Sequence, residues 1–275
     1  MPLCPNREPV LPLLHDAGVP ALSVFNLVFG RAGATAASVW VDDLHRPRAV
    51  LCRSRRLYLW SEDPRAAGRL VRSLPRTLRL NFGGTPLRLY RLIRRNWPGP
   101  DRNQRVWTNP CLMFVLRDPH RLRARGHRVE PLRPADAPTI VSQWPYGRSV
   151  SYVVSRIRRM PSVGIRRRGR LVAWALTHDD GSMGFLHVVR EYRGQGMARV
   201  LTVALCTRLL RLGLVPFNYI VRTNRASIAL TESMGFSRVG EYCWFGTLQG
   251  RVGRAGMRPA SGRRAARLPS RPASR

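Results

Sequence analysis

The sequence has 275 residues, of which 44% are hydrophobic, so it can form one large domain or two of ordinary size. Its formal net charge is +33, and all 48 basic residues are arginines because lysine is absent. The five cysteines are far apart and form no Cys-x-x-Cys pair, which argues against a disulfide framework or a zinc site and favours a reducing, cytoplasmic compartment.

The positive charge raises the question of a nucleic-acid partner, because dense positive charge binds phosphate backbones without sequence preference. The complete absence of lysine, however, indicates a coding bias toward arginine, and the arginines are spread along the whole chain. We therefore expect that nucleic acid is not the main partner, although a basic nucleic-acid-binding protein remains an alternative. The same charge helps to attract anionic substrates.

No membrane segment is expected near the N-terminus. The first twenty residues include Arg7, Glu8 and Asp16, so they contain no clean signal core. The uncharged run that follows, residues 17–30, contains a proline and is too short to cross a bilayer. We therefore expect no membrane partner.

Residues 1–125 are predicted to form an N-terminal lobe of mixed α/β structure, in which we find no motif of known chemistry. A helix is indicated for VFNLVFG, and alternating apolar residues predict strands in ASVWVDD and AVLCRSRRLYLW. The segment DPRAAGRLVRSL is predicted to be a helix that begins after Asp63, since aspartate is a favourable N-cap.

Residues 126–248 show a clearer pattern of strands and helices. VEPLRPADAPTIVSQW predicts a short strand, a turn and a helix that begins near Asp136. The next segment, SVGIRRRGRLVAWALTHDDGSMGFLHVV, predicts three strands, because an Arg-Gly pair and an Asp-Gly pair give hairpin signals between them.

Three further elements complete this predicted domain. Apolar residues at helical spacing predict an amphipathic helix from Met197 to Leu212, which Gly213 ends. PFNYIV is predicted to be a buried strand, NRASIALTESMGF a helix capped by Asn224 and ended by Gly235, and EYCWFG the last strand. The remaining residues, 249–275, are rich in Gly, Pro, Ser and Arg and are expected to be a disordered tail.

The stretch EYRGQGMAR lies between a predicted strand, Met183–Val189, and the helix that begins at Met197. The first amide groups of a helix have no partner within the helix and carry partial positive charge, so they form a natural anion site. Gly194 and Gly196 can adopt positive φ and let a bulky anion approach closely, and Arg193 can add a charged donor. The pattern is neither the Rossmann fingerprint nor a P-loop. A pyrophosphate is the expected ligand.

The motifs of this region resemble those of the GNAT N-acetyltransferase superfamily. RGQGMA, from Arg193 to Ala198, is similar to the family signature Arg/Gln-x-x-Gly-x-Gly/Ala. FLHVVREYRGQG resembles the family's fourth strand and pyrophosphate turn, and NRASIALTESMGF resembles a later helix. The closest resemblance is to the glycine N-acyltransferase-like branch, which has an extra N-terminal lobe. The implied fold class is α/β (α+β), with a mixed, mostly antiparallel GNAT sheet flanked by helices and an additional N-terminal α/β lobe.

The resemblance also implies acetyl-CoA or another acyl-CoA as co-substrate, without a metal. In the family the fourth and fifth strands splay apart, the pantetheine arm pairs with strand backbone between them, and the pyrophosphate lies on the amides of the turn. The cofactor-binding residues that this implies are Leu186, Val188, Val189, Arg193, Gly194, Gln195, Gly196, Met197, Ala198, Asn224 and Ser227.

The catalytic positions depart from the family pattern. Many relatives have a glutamate base about eleven residues before the arginine of the motif, and the matching residue here is Ser182, which cannot act as a base unaided. His187 titrates near neutrality and is our candidate base, although strand alternation lets it reach the amine only if a bulge intervenes; a structural histidine is the alternative. Where relatives often have a tyrosine acid this chain has Thr231, a poor acid, while Tyr219 and Tyr242 are either nearby substitutes or packing residues.

The leading interpretation is an acyl-CoA-dependent N-acyltransferase that transfers an acetyl or acyl group to the amine of a small molecule or an amino acid by direct attack. Two alternatives remain, a non-catalytic acyl-CoA sensor on the same fold and a basic nucleic-acid-binding protein. The sensor is favoured by the departures at the base and acid positions. His178, Asp179 and Asp180 are expected to serve the hairpin turn rather than the chemistry.

Overall fold

Ten strands form one mixed sheet in the computed structural model, which describes residues 1–97, 106–144 and 149–248. The strands are β1 (Ser38–Val41), β2 (Ala49–Arg53), β3 (Leu57–Ser61), β4 (Asn81–Pro86), β5 (Val106–Leu116), β6 (Val163–Arg167), β7 (Arg170–Thr177), β8 (Met183–Val188), β9 (Phe217–Val221) and β10 (Phe236–Thr247). The α-helices are α1 (Val10–Ala17), α2 (Leu22–Val28), α3 (Pro64–Arg72), α4 (Leu87–Asn96), α5 (Ala137–Gln143), α6 (Val150–Arg159), α7 (Met197–Arg211) and α8 (Arg225–Glu232).

The order of the strands across the sheet is β1-β2-β3-β4-β10-β5-β9-β8-β7-β6. The pairs β3/β4 and β8/β9 are parallel, and the other neighbours are antiparallel. Although β5 precedes residue 126, it lies between β9 and β10. The sheet is therefore continuous across the predicted boundary, and the division into domains 1–125 and 126–248 stays a prediction.

The turns that join β6, β7 and β8 occur where the sequence predicted them. Arg168 and Gly169 both have positive φ, of 48° and 77°, which suits a tight two-residue hairpin. Gly181, with φ of 85°, lies in the turn between β7 and β8. The predicted helix ends are also confirmed. Gly213 follows α7 with φ of 67°, and the side chain of Asp63 caps α3 by accepting the backbone N–H groups of Arg65 and Ala66.

Two large hydrophobic clusters pack against the sheet. The first joins α1–α4 to β1–β4 and is completed by Cys243 and Phe245 of β10. The second packs α7 against the sheet and includes Ala32, which comes from the N-terminal lobe. Each lobe therefore contributes side chains to the core of the other.

Buried polar groups join the lobes at the β7–β8 hairpin. Arg156 on α6 is 2% exposed, and its guanidinium donates to the carbonyl and hydroxyl of Thr177 and to the carbonyl of Ala32. Asn26 on α2 donates its side-chain amide to the carbonyl of Asp180 at 3.0 Å. The tip of this hairpin is thus buried against the N-terminal lobe and is held there by polar contacts.

Two further expectations concern a membrane segment and the C-terminal tail. Within the described ranges no single helix is long and apolar enough to cross a membrane; Val10–Ala17 and Val19–Val28 meet the length and composition together, but the chain bends by 119° between them. The tail that was predicted to be disordered, residues 249–275, lies outside the described residues.

Candidate functional site

A cavity of about 190 Å³ opens where β8 and β9 separate. The two strands pair at Met183, opposite Asn218, and diverge beyond that position. The residues that line the cavity come from both strands and from β5, β10 and α8, and they include Leu186, Ile220 and Thr231. Because diverging strands turn backbone groups toward the gap, the cavity can accept an extended ligand that pairs with strand backbone.

A β-bulge lies on β8 beside this gap. Between the pairs Gly184–Leu176 and His187–Trp174, β8 contains one residue more than β7. Phe185, within the bulge, has a φ of 52°, which is rare for a residue with a side chain. The bulge shifts the alternation of β8, so residues before and after it present their side chains differently from those of a regular strand.

His187, the predicted base, lies directly after this bulge. Its ring stacks on Trp174 with 4.6 Å between the ring centroids, and it is half-buried. Burial, and to a smaller degree the charge of Arg193, lower the pKa of His187, so the imidazole is neutral near pH 7 and can accept a proton. It is not among the described residues that line the cavity, and its catalytic role stays a prediction.

The predicted anion turn is exposed and leads directly into α7. Gly194 and Gly196 have φ of 80° and 76°, which agrees with the prediction that these glycines adopt positive φ. A Cβ atom built on either glycine meets no other heavy atom within 4 Å, so open space lies beside the turn. Arg193 donates its Nε–H to the carbonyl of Val188 at 3.0 Å, which fixes the turn to the end of β8.

A histidine that the sequence interpretation missed supports the same turn. His127 Nε2 lies 2.7 Å from the carbonyl oxygen of Gln195, and its Nδ1 lies 2.6 Å from a guanidinium nitrogen of Arg167. Since arginine can only donate, Nδ1 accepts and Nε2–H donates to the turn. The residues are 68 positions apart, so only the folded chain reveals this contact.

The residues predicted to hold the arm of the cofactor fall into two groups. Leu186, Asn224 and Ser227 line the cavity. Val188 and Val189 are not among its described lining residues. The carbonyl of Val188 accepts a hydrogen bond from Arg193 of the turn, and Val189 donates its N–H to the carbonyl of Val172 on β7. Asn224 caps α8 by accepting the backbone N–H of Ser227 at 3.2 Å, as the sequence predicted.

Ser182, at the position of the family base, lines the cavity and has a buried carboxylate behind it. Its hydroxyl donates to Asp180 at 2.6 Å, and its backbone N–H donates to the same oxygen at 3.0 Å. Ser23 of α2 donates to the other carboxylate oxygen at 3.0 Å. Burial raises the pKa of Asp180, and the neighbouring charge of Asp179 adds to this effect. The hydroxyl of Ser182 therefore connects the cavity to the buried carboxyl group of Asp180, a contact that the hairpin interpretation did not foresee.

The predicted acid position and its substitutes differ in their access to the cavity. Thr231 is 5% exposed and lines it. Tyr219 also lines it, and its hydroxyl lies 2.9 Å from that of Ser23, which donates onward to Asp180. Tyr242 is outside the described lining and donates to the carbonyl of Pro20 at 3.0 Å, so it acts in packing. In the described ranges no group of three or more His, Cys, Asp or Glu residues could hold a metal ion.

Comparisons with known proteins agree with this architecture. The model of the FR47-like protein family matches residues 162–245, which extend from β6 into β10. A search of curated protein sequences gave no match. Among solved structures, a Drosophila protein superposes with a TM-score of 0.70 at 19% identity, covering 90% of this chain and 98% of the other. The likeness therefore extends well into the N-terminal lobe.

Two further structures carry the GNAT description. A GNAT-family protein from Novosphingobium aromaticivorans gives a TM-score of 0.50 at 20% identity, covering 76% of this chain and 92% of the other. A GCN5-related N-acetyltransferase-like protein from Streptococcus suis gives 0.53 at 14% identity, covering 86% and 99%. At these identities the likeness concerns the fold, and it confirms the predicted GNAT fold class. The family model covers residues 162–245, and these structures support the GNAT fold for the part of the chain that they cover.

Proposed function

We propose that the protein is an acyl-CoA-dependent N-acyltransferase that transfers an acetyl or acyl group to the amine of a small molecule or an amino acid by direct attack. The observation that carries the proposal is the continuity of two features. The gap between β8 and β9 runs along the strand that ends at Val188, and that strand leads through Gly194 and Gly196 into the N-terminus of α7. Acyl-CoA has the matching shape, an extended amide-bearing arm followed by a pyrophosphate.

The residues present fit this ligand. The exposed turn, with open space beside both glycines, offers backbone amides and the positive end of a 15-residue helix to an anion. Leu186, Asn224 and Ser227 border the gap in which the arm would lie. Exposed arginines near the turn, such as Arg190, add attraction for phosphate.

Transfer requires that the amine lose a proton and that the leaving thiolate gain one. In the proposed reaction the neutral amine nitrogen forms a bond to the thioester carbonyl carbon, the carbon–sulfur bond breaks, and one proton moves from nitrogen to sulfur. An acceptor that binds as an ammonium first releases one further proton. Ser182 supplies the first step by accepting the amine proton while its own hydroxyl proton passes to Asp180. His187 is the competing base, and Thr231, at the family's acid position, can relay a proton but is a weak acid.

The finer assignments are part of the same proposal. The extra N-terminal lobe supports placement near the glycine N-acyltransferase-like branch, and all five cysteines are free and buried, which supports a reducing, cytoplasmic location. We propose a small amine or amino acid as the acceptor and assign no role to nucleic acid.

A second candidate is a non-catalytic acyl-CoA sensor on the same fold. One observation favours it: among the cavity-lining residues that the structure describes, none is an aspartate or a glutamate. Such a protein would bind acyl-CoA through the same gap and turn without transferring the group.

Two measurements test the proposal and separate the candidates. Acetyl-CoA should raise the melting temperature of the full chain in both cases, because a ligand that binds only the folded state stabilises it. Release of free thiol from acetyl-CoA in the presence of an amine library should occur for the enzyme alone. Binding without thiol release for any amine favours the sensor, and absence of stabilisation contradicts both.

A further inference from the structure

Four of the aromatic side chains that line the cavity contact one another in a chain. Trp144 stacks on Phe185 with 4.6 Å between the ring centroids. His178 follows, with its ring centroid 4.8 Å from that of Phe185 and 5.9 Å from that of Trp244. We call these four residues the aromatic wall. Phe185 is fully buried behind the other three, so Trp144, His178 and Trp244 are the members that a ligand can contact. The members of the wall come from the α5 end, the β7–β8 hairpin, the bulge of β8 and β10, so it forms only in the folded chain.

The aromatic wall lies on the opposite face of the sheet from α7. Ile220 of β9 packs in the cluster that contains α7, whereas its neighbour Tyr219 contacts Trp244, with 5.9 Å between the ring centroids. Because consecutive side chains of a strand point to opposite faces, Trp244 lies on the face away from α7. The N-terminus of α7 is the proposed site of the pyrophosphate, so the wall is left to the other reactant, the acceptor.

The position of Arg56 indicates whether the aromatic wall binds an aromatic ring or a cation. The Arg56 guanidinium lies over the ring of Trp244 at 5.2 Å and over that of Trp107 at 5.4 Å. Aromatic faces also attract ammonium groups, but a second cation at this end would meet the charge of Arg56. A neutral ring meets no such repulsion and gains stacking or edge contacts with the wall.

We propose that the acceptor is an amine that carries a flat aromatic ring, and that this ring binds against the aromatic wall. This inference rests on the proposed N-acyltransferase function. The ring fixes the acceptor on the face opposite α7, while Ser182, which lines the same cavity, is available to the amine. Amines without a ring, and diamines with a second positive charge, lack the group that the wall recognises.

The test is a matched acceptor series with the full chain and acetyl-CoA. 2-Phenylethylamine is compared with 2-cyclohexylethylamine, which has similar size but no π-face, and with 1,6-diaminohexane. Release of CoA thiol should show kcat/KM about tenfold higher or more for the aromatic amine, since several ring contacts contribute together. Trp244→Leu should remove most of this preference, whereas Trp40→Leu, a tryptophan of β1 outside the cavity lining, should keep it.

A binding measurement keeps the inference testable without catalysis. Calorimetric titration of the CoA-saturated protein with each amine reports the ternary complex, in which no transfer is possible. Binding of 2-phenylethylamine in clear preference to the other two supports the inference even if no thiol is released, a result that would contradict only the acyltransferase function. Equal binding of the three amines, faster transfer to the saturated amine or the diamine, or no binding of the aromatic amine overturns the inference.

Discussion

Substitution of Gly196 by valine tests the anion turn, and Gly213 provides a matched control at the other end of α7. The two glycines have φ of 76° and 67°, and a Cβ atom on either meets no other heavy atom within 4 Å. Valine at each position therefore meets the same left-handed strain and no clash. The expected loss of stability is about 2 kcal/mol for each variant, or a melting temperature lower by roughly 4–8 °C.

The two variants should differ in acetyl-CoA binding. Relief of the strain at Gly196 rotates the peptide groups that point toward the ligand, and its new side chain enters the open space beside the turn. Hydrogen bonds to a charged group are worth about 1.5–3 kcal/mol each, so misalignment of two amides weakens binding by roughly 100-fold or more. The strain at Gly213 lies a helix length away and leaves these amides unchanged.

Isothermal titration with acetyl-CoA measures both variants, with thermal melting as the check on folding. Wild-type affinity in Gly213→Val together with strongly reduced affinity in Gly196→Val supports the turn as the pyrophosphate site. Equal affinity of the two folded variants would show that the pyrophosphate does not bind at this turn.

Three further results are expected. Ser182→Ala should lower kcat by about 100-fold with unchanged acetyl-CoA binding, while His187→Ala keeps kcat; the reverse pattern in steady-state kinetics assigns the base to His187. Asn224→Ala and Asp63→Ala should each cost about 1 kcal/mol in urea unfolding, since each removes a helix cap, but calorimetry should show weaker acetyl-CoA binding only for Asn224→Ala. Arg156→Met should lower the free energy of unfolding by about 2–5 kcal/mol, because it leaves buried carbonyls without a donor; a loss below 1 kcal/mol would contradict that role.

The parts of the fold that could be predicted are those determined within a few residues. Asp63 and Asn224 cap helices because their side chains accept amides two or three positions later. The glycines of the anion turn are required by the local backbone conformation, and the Arg-Gly and Asp-Gly pairs mark the hairpins that separate the three strands before it. Each of these signals is local, so the sequence alone carries it.

The contacts that could not be predicted join residues distant in sequence. Asp180 belongs to an Asp-Gly hairpin signal, which is typical of exposed turns, yet Ser23 donates to it from 157 positions away. His127 likewise contacts the anion turn, although it is 68 positions away from Gln195 in the sequence. The position of β5 between β9 and β10 is also set by tertiary contacts, because no local pattern specifies a strand's neighbours.

The positive charge of the chain affects how strong a base is needed to deprotonate the acceptor amine. A net charge of +33, with Arg56 and no carboxylate among the described lining residues, predicts a positive potential in the cavity. Such a potential lowers the pKa of a bound ammonium and stabilises the oxyanion and the departing thiolate. The proton of the acceptor therefore leaves at lower cost than it does in water. In the proposed reaction Asp180, buried behind Ser182, receives that proton without exposing a negative charge that would repel the thiolate.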